Sequence, residues 1–412
     1  MSHPEKEPTP SSANLEEAIQ TREIQADNIR FRPYNWSQKK KATNLFLVAF
    51  HAMMATFTAA AIMAAFVNIA QDLEIEVQTA SYLTSLFVLH SNLNHTPPCA
   101  FAVHICPAAA IGSGVVAETF FKNERAHYMG IWTIFVTLGV PVAPFIFGFV
   151  ALRVGYRWIY YILAITNGVQ LVLYFFFGPE SRYIRGSQPP RPEDEKNKSD
   201  FKKQYMSFRR IDKNPMTWYD FVEPLVYAAR PCVMLPAVAY AMEFLWTSIM
   251  TTVEIPQLFP ELFGFNTQQN GLQMISVIVG TIVGEQIGGR MSDVWMSPRR
   301  KKLGGRSPEP EYRLWLSFFG FLLCIFGVII FLVQLYSAGH SWNVTPLVGV
   351  GIAAAGNQVV TTVLVTYAVD CYRQDASSVG VFITFVRQMW GFIGPFCCYD
   401  IRGASSKAAD CI

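Results

Sequence analysis

Four acidic residues, Glu243, Glu254, Glu285 and Asp293, stand inside or at the edge of long apolar runs. A carboxylate in hydrocarbon is costly, so where one persists it pairs with a neighbour, lines a cavity or handles an ion. Glu243 and Glu254 are eleven residues apart, about three helical turns. A regular helix would place them on one face with Tyr240, Thr247 and Met250, and that face suits a cation. Pro236 and Pro256 would break this helix and free carbonyls beside it. Asn357 and Thr361 share another helix face, with Gln358 adjacent. A third group, Glu285, Gly289, Asp293, Arg299 and Arg300, sits where an apolar run gives way to basic residues. Its acids are placed for proton coupling or for gating at the cytoplasmic end, where Asp293 would meet the basic run or a helix N-terminus. For every one of these polar residues a plainer reading stands beside the functional one, a satisfied hydrogen bond between helices.

The elements that must position them are membrane spans. Half of the chain is hydrophobic and only 15% is charged, against about a quarter in an average soluble domain. The runs near 45–69, 101–121, 129–152, 158–177, 232–255, 272–295, 314–335, 347–369 and 379–397 read as nine spans, the second interrupted by Pro107 and Glu118. The fold class expected is therefore an all-α polytopic membrane protein. Residues 1–42 read as a disordered cytoplasmic tail, 43–178 as an N-terminal helix bundle, 179–230 as a cytoplasmic loop, 231–397 as a C-terminal bundle and 398–412 as a tail. Orientation follows from charge. Lys39, Lys40 and Lys41 precede the first span, the middle loop is rich in Lys and Arg, and the stretches 256–270 and 336–343 contain neither. Arg153 and Arg157, in a short turn expected outside, are the one clear exception.

Other chemistry is thinly supported. Eight cysteines are scattered, with no paired metal or redox spacing, and read as packing residues. His90, His95, Cys99, His104 and Cys106 lie close together in the broken segment 82–106, but their spacings match no standard ligand pattern. No nucleophile, metal or phosphate-cradling constellation points to an enzyme, so neither catalysis nor a cofactor is expected. The net charge of +3 resides in loops and implies no nucleic-acid partner. The expected partners are the lipid bilayer, a small-molecule solute and a proton, in a monomer of the plasma or vacuolar membrane.

Two motifs carry a family resemblance. Gly284 and Gly288 would let a neighbouring helix approach closely, and Gly289, Asp293 and the basic residues after them resemble the cytoplasmic loop motif of the major facilitator superfamily. From Gly130, the stretch GIWTIFVTLGVPVAPFIFG places Gly139 nine residues on, Pro144 five further and Gly148 four further, with Ala143 and Phe147 where the pattern has Gly. It is similar to the fifth-helix signature of proton-coupled antiporters, a packing seam that Pro141 and Pro144 make bendable. Segments such as NPMTWYDFVEPLVYAARPCVMLPAVAYAM and GNQVVTTVLVTYAVDCY resemble the fungal drug:proton antiporters of twelve spans, in the branch with polyamine and histidinol carriers. The resemblance implies two helical bundles, a central cavity lined by the first, fourth, seventh and tenth helices, and alternating access. It also implies proton-coupled transport of a small cationic or drug-like solute.

The chain departs from that pattern. The first-half copy of the loop motif, the fourth-helix arginine and a twelfth span have no counterpart, so the fold is expected to be incomplete, with residues 90–106 unrelated to the family. Two rival readings remain. Gly178, Pro179, Glu180, Ser181 and Arg182 echo a loop motif of sugar porters. The other rival is a shortened, transport-inactive chain that acts only by pairing with a full carrier.

Overall fold

The computed structural model describes residues 36–75, 79, 107–120, 125–177, 223–302, 309–338, 341–372 and 375–409. Every regular element among them is helical, the longest being α1 (Gln38–Asp72), α2 (Pro107–Thr119), α3 (Arg125–Arg153), α4 (Arg157–Phe177), α5 (Pro231–Phe263), α6 (Thr267–Lys302), α7 (Leu314–Ala338), α8 (Thr345–Cys371) and α9 (Ala376–Ala409). Eight of the nine, all but α2, are long and apolar enough to cross a membrane. The 13 residues of α2 reach about 20 Å, short of a hydrocarbon core of about 30 Å. The first part of the span expected at 101–121, the broken segment up to 106, its His and Cys cluster, and residues 178–222 lie outside the described residues.

Bounds differ from the expected ones mainly by extension. Lys39, Lys40 and Lys41 belong to the first turn of α1 rather than to a tail. The stretch expected as a tail from 398 is helix through Ala409.

Local signals set several ends. Between α5 and α6, Gly264 takes φ +66° and donates its N–H to the Pro260 carbonyl at 3.0 Å, the left-handed close of a helix that few other residues adopt without strain. Two residues later Asn266 opens α6 with a reciprocal cap. Its side chain accepts from the Gln269 N–H at 2.8 Å, and the Gln269 side chain accepts from the Asn266 N–H at 3.0 Å. At the turn carrying Arg153 and Arg157, both exposed, Gly155 takes φ +95°.

The centre of the bundle is α8. Of its most apolar 18-residue window 83% is buried, against 17% for α4 and 28% for α7. The outer faces of α4 and α7 are aliphatic and aromatic, as with Phe318, Leu322, Ile325 and Ile329, and suit acyl chains. Against α8, α6 presents Gly280, Gly284 and Gly288 at intervals of four, facing Gly351, Ala355 and Val359. A Cβ on Gly280 or Gly284 would fall on backbone atoms of α8, and one on Gly288 would crowd Val359 Cα, so the approach is this close only where side chains are absent. The packing face expected from Gly284 and Gly288 is therefore present, with α8 as its partner.

The two halves meet mainly along two seams, α3 on α6 and α8, and α2 on α9. In the second, the Ser113 hydroxyl donates to the Ala376 carbonyl at 3.4 Å and Gly114 packs on Ser377.

Candidate functional site

Two buried carboxylates define the polar interior, and each ends a regular helical stretch. Glu243 is the last α-helical residue before a π-helical segment at Phe244–Ile249 in α5. Glu285 is the last before a second π segment at Gln286–Met291 in α6. A π turn inserts extra backbone into an α-helix and rotates the stretch of helix beyond it, and such insertions gather at functional sites.

Glu243 faces into the second half. Its Oε1 accepts from the Thr247 hydroxyl at 2.5 Å and from Cys324 Sγ, on α7, at 3.0 Å. With the Asn357 amide turned so that its nitrogen faces the acid, Nδ2 donates to Oε2 at 2.7 Å. Glu243 is thereby committed to holding α5, α7 and α8 together. Of the face expected to hold a cation, Glu243 and Thr247 come together, joined by Asn357 from the other predicted face. Tyr240 turns to Arg387, and Glu254 is half-buried beyond the π segment. One inserted residue turns a helix by about 100°, which is why the eleven-residue spacing does not deliver one face. The Met250 side chain lies outside the described residues. Pro236 and Pro256 both lie inside helix, and the Pro256 carbonyl accepts from Asn270 Nδ2 at 3.3 Å.

Glu285 faces the seam between the halves. Its Oε2 accepts from Gln358 Nε2 and from the Thr362 hydroxyl, both at 2.8 Å. The Thr362 and Thr133 hydroxyls are 3.0 Å apart, and Gln358 Nε2 reaches Thr133 Oγ1 at 3.3 Å. A Cβ on Gly130 or on Gly289 would land on Glu285 Oε1. The carboxylate therefore sits in a niche floored by two glycines, one from each half. It lies 18 residues from Thr267 and 17 from Lys302, near the middle of α6.

Asn357 and Gln358 are consecutive residues of α8, and they take the two carboxylates of α5 and α6. Neighbouring side chains on a helix diverge by about 100°. One turn of α8 thus holds both acids apart.

The remaining predicted residues fall elsewhere. Arg299 lies over the Tyr312 ring at 5.3 Å, and Trp295 stacks on the same ring. The Asp293 and Arg300 side chains lie outside the described residues. In α3, Gly139 meets Thr56 and the Met53 carbonyl of α1, Gly148 meets the Thr267 carbonyl of α6, and Ala143 and Phe147 are fully buried. The helix runs unbroken through Pro141 and Pro144.

Thr133, Thr362, Cys324 and Arg387 were not singled out from the sequence. Only Arg387 gave a signal there, as the one Lys or Arg between 376 and 397. It lines a narrow recess of about 20 Å³ between α3, α5, α8 and α9, together with Trp132, Thr133, Tyr240, Thr361 and Thr384. A second and larger pocket, of about 280 Å³, opens at the other end of the seam between Asn68, Pro144, Pro256, Thr267 and Asn270.

Residues 99–395 match the Major Facilitator Superfamily pattern. The chain belongs to the major facilitator superfamily. It is an integral membrane protein of many passes. The match begins inside the stretch 90–106 that the sequence set apart from the family. The efflux pump radE of Floropilus chiversii is 28% identical over 299 residues, covering 69% of this chain and 53% of that protein. The MFS-type transporter hepF of Aspergillus oryzae is 26% identical, over 71% of this chain and 60% of its own length. The MFS transporter fsa7 of a Fusarium strain is 25% identical, over 84% and 75%. The chain thus spans little more than half of the length of the first two. The human organic anion transporter MFSD10 (TETRAN), a solved structure, aligns at 13% identity with a TM-score of 0.43, over 93% of this chain and 84% of its own. At that distance neither fold detail nor substrate carries over.

Proposed function

We propose that this chain moves a small organic solute across the membrane by alternating access, with Glu285 exchanging a proton as the seam between the halves opens and closes. The observation that carries this reading is the double position of Thr133. It lines the recess, and it bonds to Thr362 and Gln358, the two residues that hold Glu285. A solute that displaces the Thr133 hydroxyl disturbs the donors of the buried acid, and separating α3 from α6 opens the niche over it. Superfamily membership and relatives named as transporters and an efflux pump support transport as the activity. The fifth-helix resemblance supports the drug:proton antiporter branch. The π segments after Glu243 and Glu285 supply points at which α5 and α6 can bend. The cationic solute expected from the sequence rested on the face of Glu243 and Glu254 and on the branch resemblance, and of these Glu243 is not among the residues that line the recess.

The test uses the full chain in liposomes loaded with a pH-sensitive dye. Addition of spermidine, a hexose or an organic acid on one side should, for at least one of them, drive proton movement that Glu285→Gln abolishes while solute exchange persists. Hexose exchange without proton movement would favour the sugar-type reading. Absence of any solute movement by this chain alone would overturn the proposal in favour of a partner-dependent chain.

A further inference from the structure

The larger pocket is walled by both halves, by α1 and α3 on one side and by α5, α6 and the turn between them on the other. At about 280 Å³ it is roughly twice a cavity of about 150 Å³ that takes benzene, so it has room for about a dozen non-hydrogen atoms. None of the residues lining it is Asp, Glu, Lys, Arg or His, and a charge set there without a partner would be costly. Its polar groups are carboxamides and a hydroxyl, and several are poorly used. The Thr267 hydroxyl donates to Asn68 Oδ1 across the seam at a long 3.4 Å, and Asn68 Nδ2 makes no hydrogen bond among the described residues. Asn270, 8% exposed, gives its Nδ2 to the Pro256 carbonyl at 3.3 Å, and its Oδ1 has no partner. That carbonyl lacks a helical donor because Pro260 has no N–H. Phe265, also on the wall, is held between Phe259 and Trp342, with ring centroids 6.0 and 6.1 Å away.

We propose that this pocket binds a small uncharged carboxamide with an aromatic body, and that the bound molecule ties the two halves together at this end of the seam. The carbonyl of the amide accepts from the Thr267 hydroxyl and from Asn68 Nδ2, and its N–H donates to the Asn68 Oδ1 so released. A stretched bond and an unused donor are thereby replaced by three bonds of ordinary length. The aromatic body lies on Phe265 and against Met63 and Pro144. A molecule that needs both walls binds only while they are together, so it shifts the equilibrium toward the closed seam. Arrest of transport follows from that closure and rests on the alternating-access reading, whereas the binding does not.

Binding is measured on the full chain in lipid nanodiscs, by thermal unfolding followed through tryptophan fluorescence. The probes are phenylpropanamide and its charged counterparts of like size, phenylpropanoate and phenylpropylamine, at fixed pH and ionic strength. The amide should raise the unfolding midpoint saturably while the two ions do not. Asn68→Leu should weaken amide binding about tenfold and Thr267→Val about threefold, as loss of two hydrogen bonds and of one requires. Ala64→Phe, which fills the pocket from α1, should abolish the shift, and if it does not fold the two polar variants carry the test. Equal binding by wild type and Asn68→Leu, or an equal shift with either ion, would overturn the site. Weakening by Asn68→Leu with none by Thr267→Val, or solute exchange undiminished at saturating amide, would overturn the tie between the halves. Amide binding that needs both walls, in a chain that moves no solute, would leave the inference standing and overturn the transport reading instead.

Discussion

Gly130→Ala isolates the contact between the two halves. The added Cβ would land on Glu285 Oε1, so the carboxyl group must swing away from Gln358 Nε2 and the Thr362 hydroxyl, each now 2.8 Å from Oε2. Each such bond contributes about 1–3 kcal/mol, and a donor left buried without a partner costs about as much. Gln358 and Thr362 are almost wholly buried, so water offers them little compensation. We expect Gly130→Ala to destabilise the folded chain by about 3 kcal/mol. The assay is equilibrium unfolding in mixed micelles titrated with SDS, run as a double-mutant cycle with Glu285→Ala. With the carboxylate gone, the new methyl group finds open space, and the cost of Gly130→Ala should fall below about 0.5 kcal/mol, a coupling of roughly 2.5 kcal/mol. An equal cost in both backgrounds would refute the reasoning, because the strain would then come from some contact other than the acid.

Two further outcomes are expected from the packing. Arg313 and Asp370 form an ion pair at 3.9 Å with side chains 7% and 8% exposed, so Arg313→Ala, which takes this cation away from a buried carboxylate, should cost about 3 kcal/mol in the same titration. A change no larger than that of an exposed Lys or Arg would show the pair to be hydrated. Asn266→Ala removes one side of the reciprocal cap of α6 and should cost about 1 kcal/mol, most of it restored by Ser or Asp at the same position. Equal loss with Ser or Asp would mean that the amide acts otherwise than as a cap.

How much of this was legible depends on which physical signal wrote each feature. The turn from α5 to α6 was open to reading, since Gly264 and the Asn266-to-Gln269 spacing are local devices. Spans followed from apolar length. The packing face of Gly284 and Gly288 was legible, but its partner was not, because a small-residue row says that something comes close without saying what. The pairing of Glu243 with Glu254 failed for a geometric reason. It assumed α-helical periodicity throughout, and the π segment at Phe244–Ile249 interrupts it. The basic residues after Glu285 suggested a helix end close by, whereas the helix continues to Lys302. Arg387 stood alone in its span, yet its place beside Tyr240 and Phe244 is a property of three dimensions.

The two carboxylates differ less in depth than in what they bind together. Glu243 joins three helices of one half, and its donors from α5, α7 and α8 make it a fixture of that half. Glu285 has Gln358 and Thr362 of its own half above it and Gly130 of the other half against it. Only the second changes its surroundings when the halves part. Because Asn357 and Gln358 are consecutive on α8, any rotation of α8 that releases Glu285 also pulls on Glu243, which resists through Thr247 and Cys324. The other movement keeps α8 with α5 and α7 and separates α3 from α6 at the Gly130 niche and from α8 at the Thr133–Thr362 contact. That seam carries the Glu285 cluster, and one of its threonines faces the recess, so the geometry favours the halves moving as units over a rearrangement within the second half.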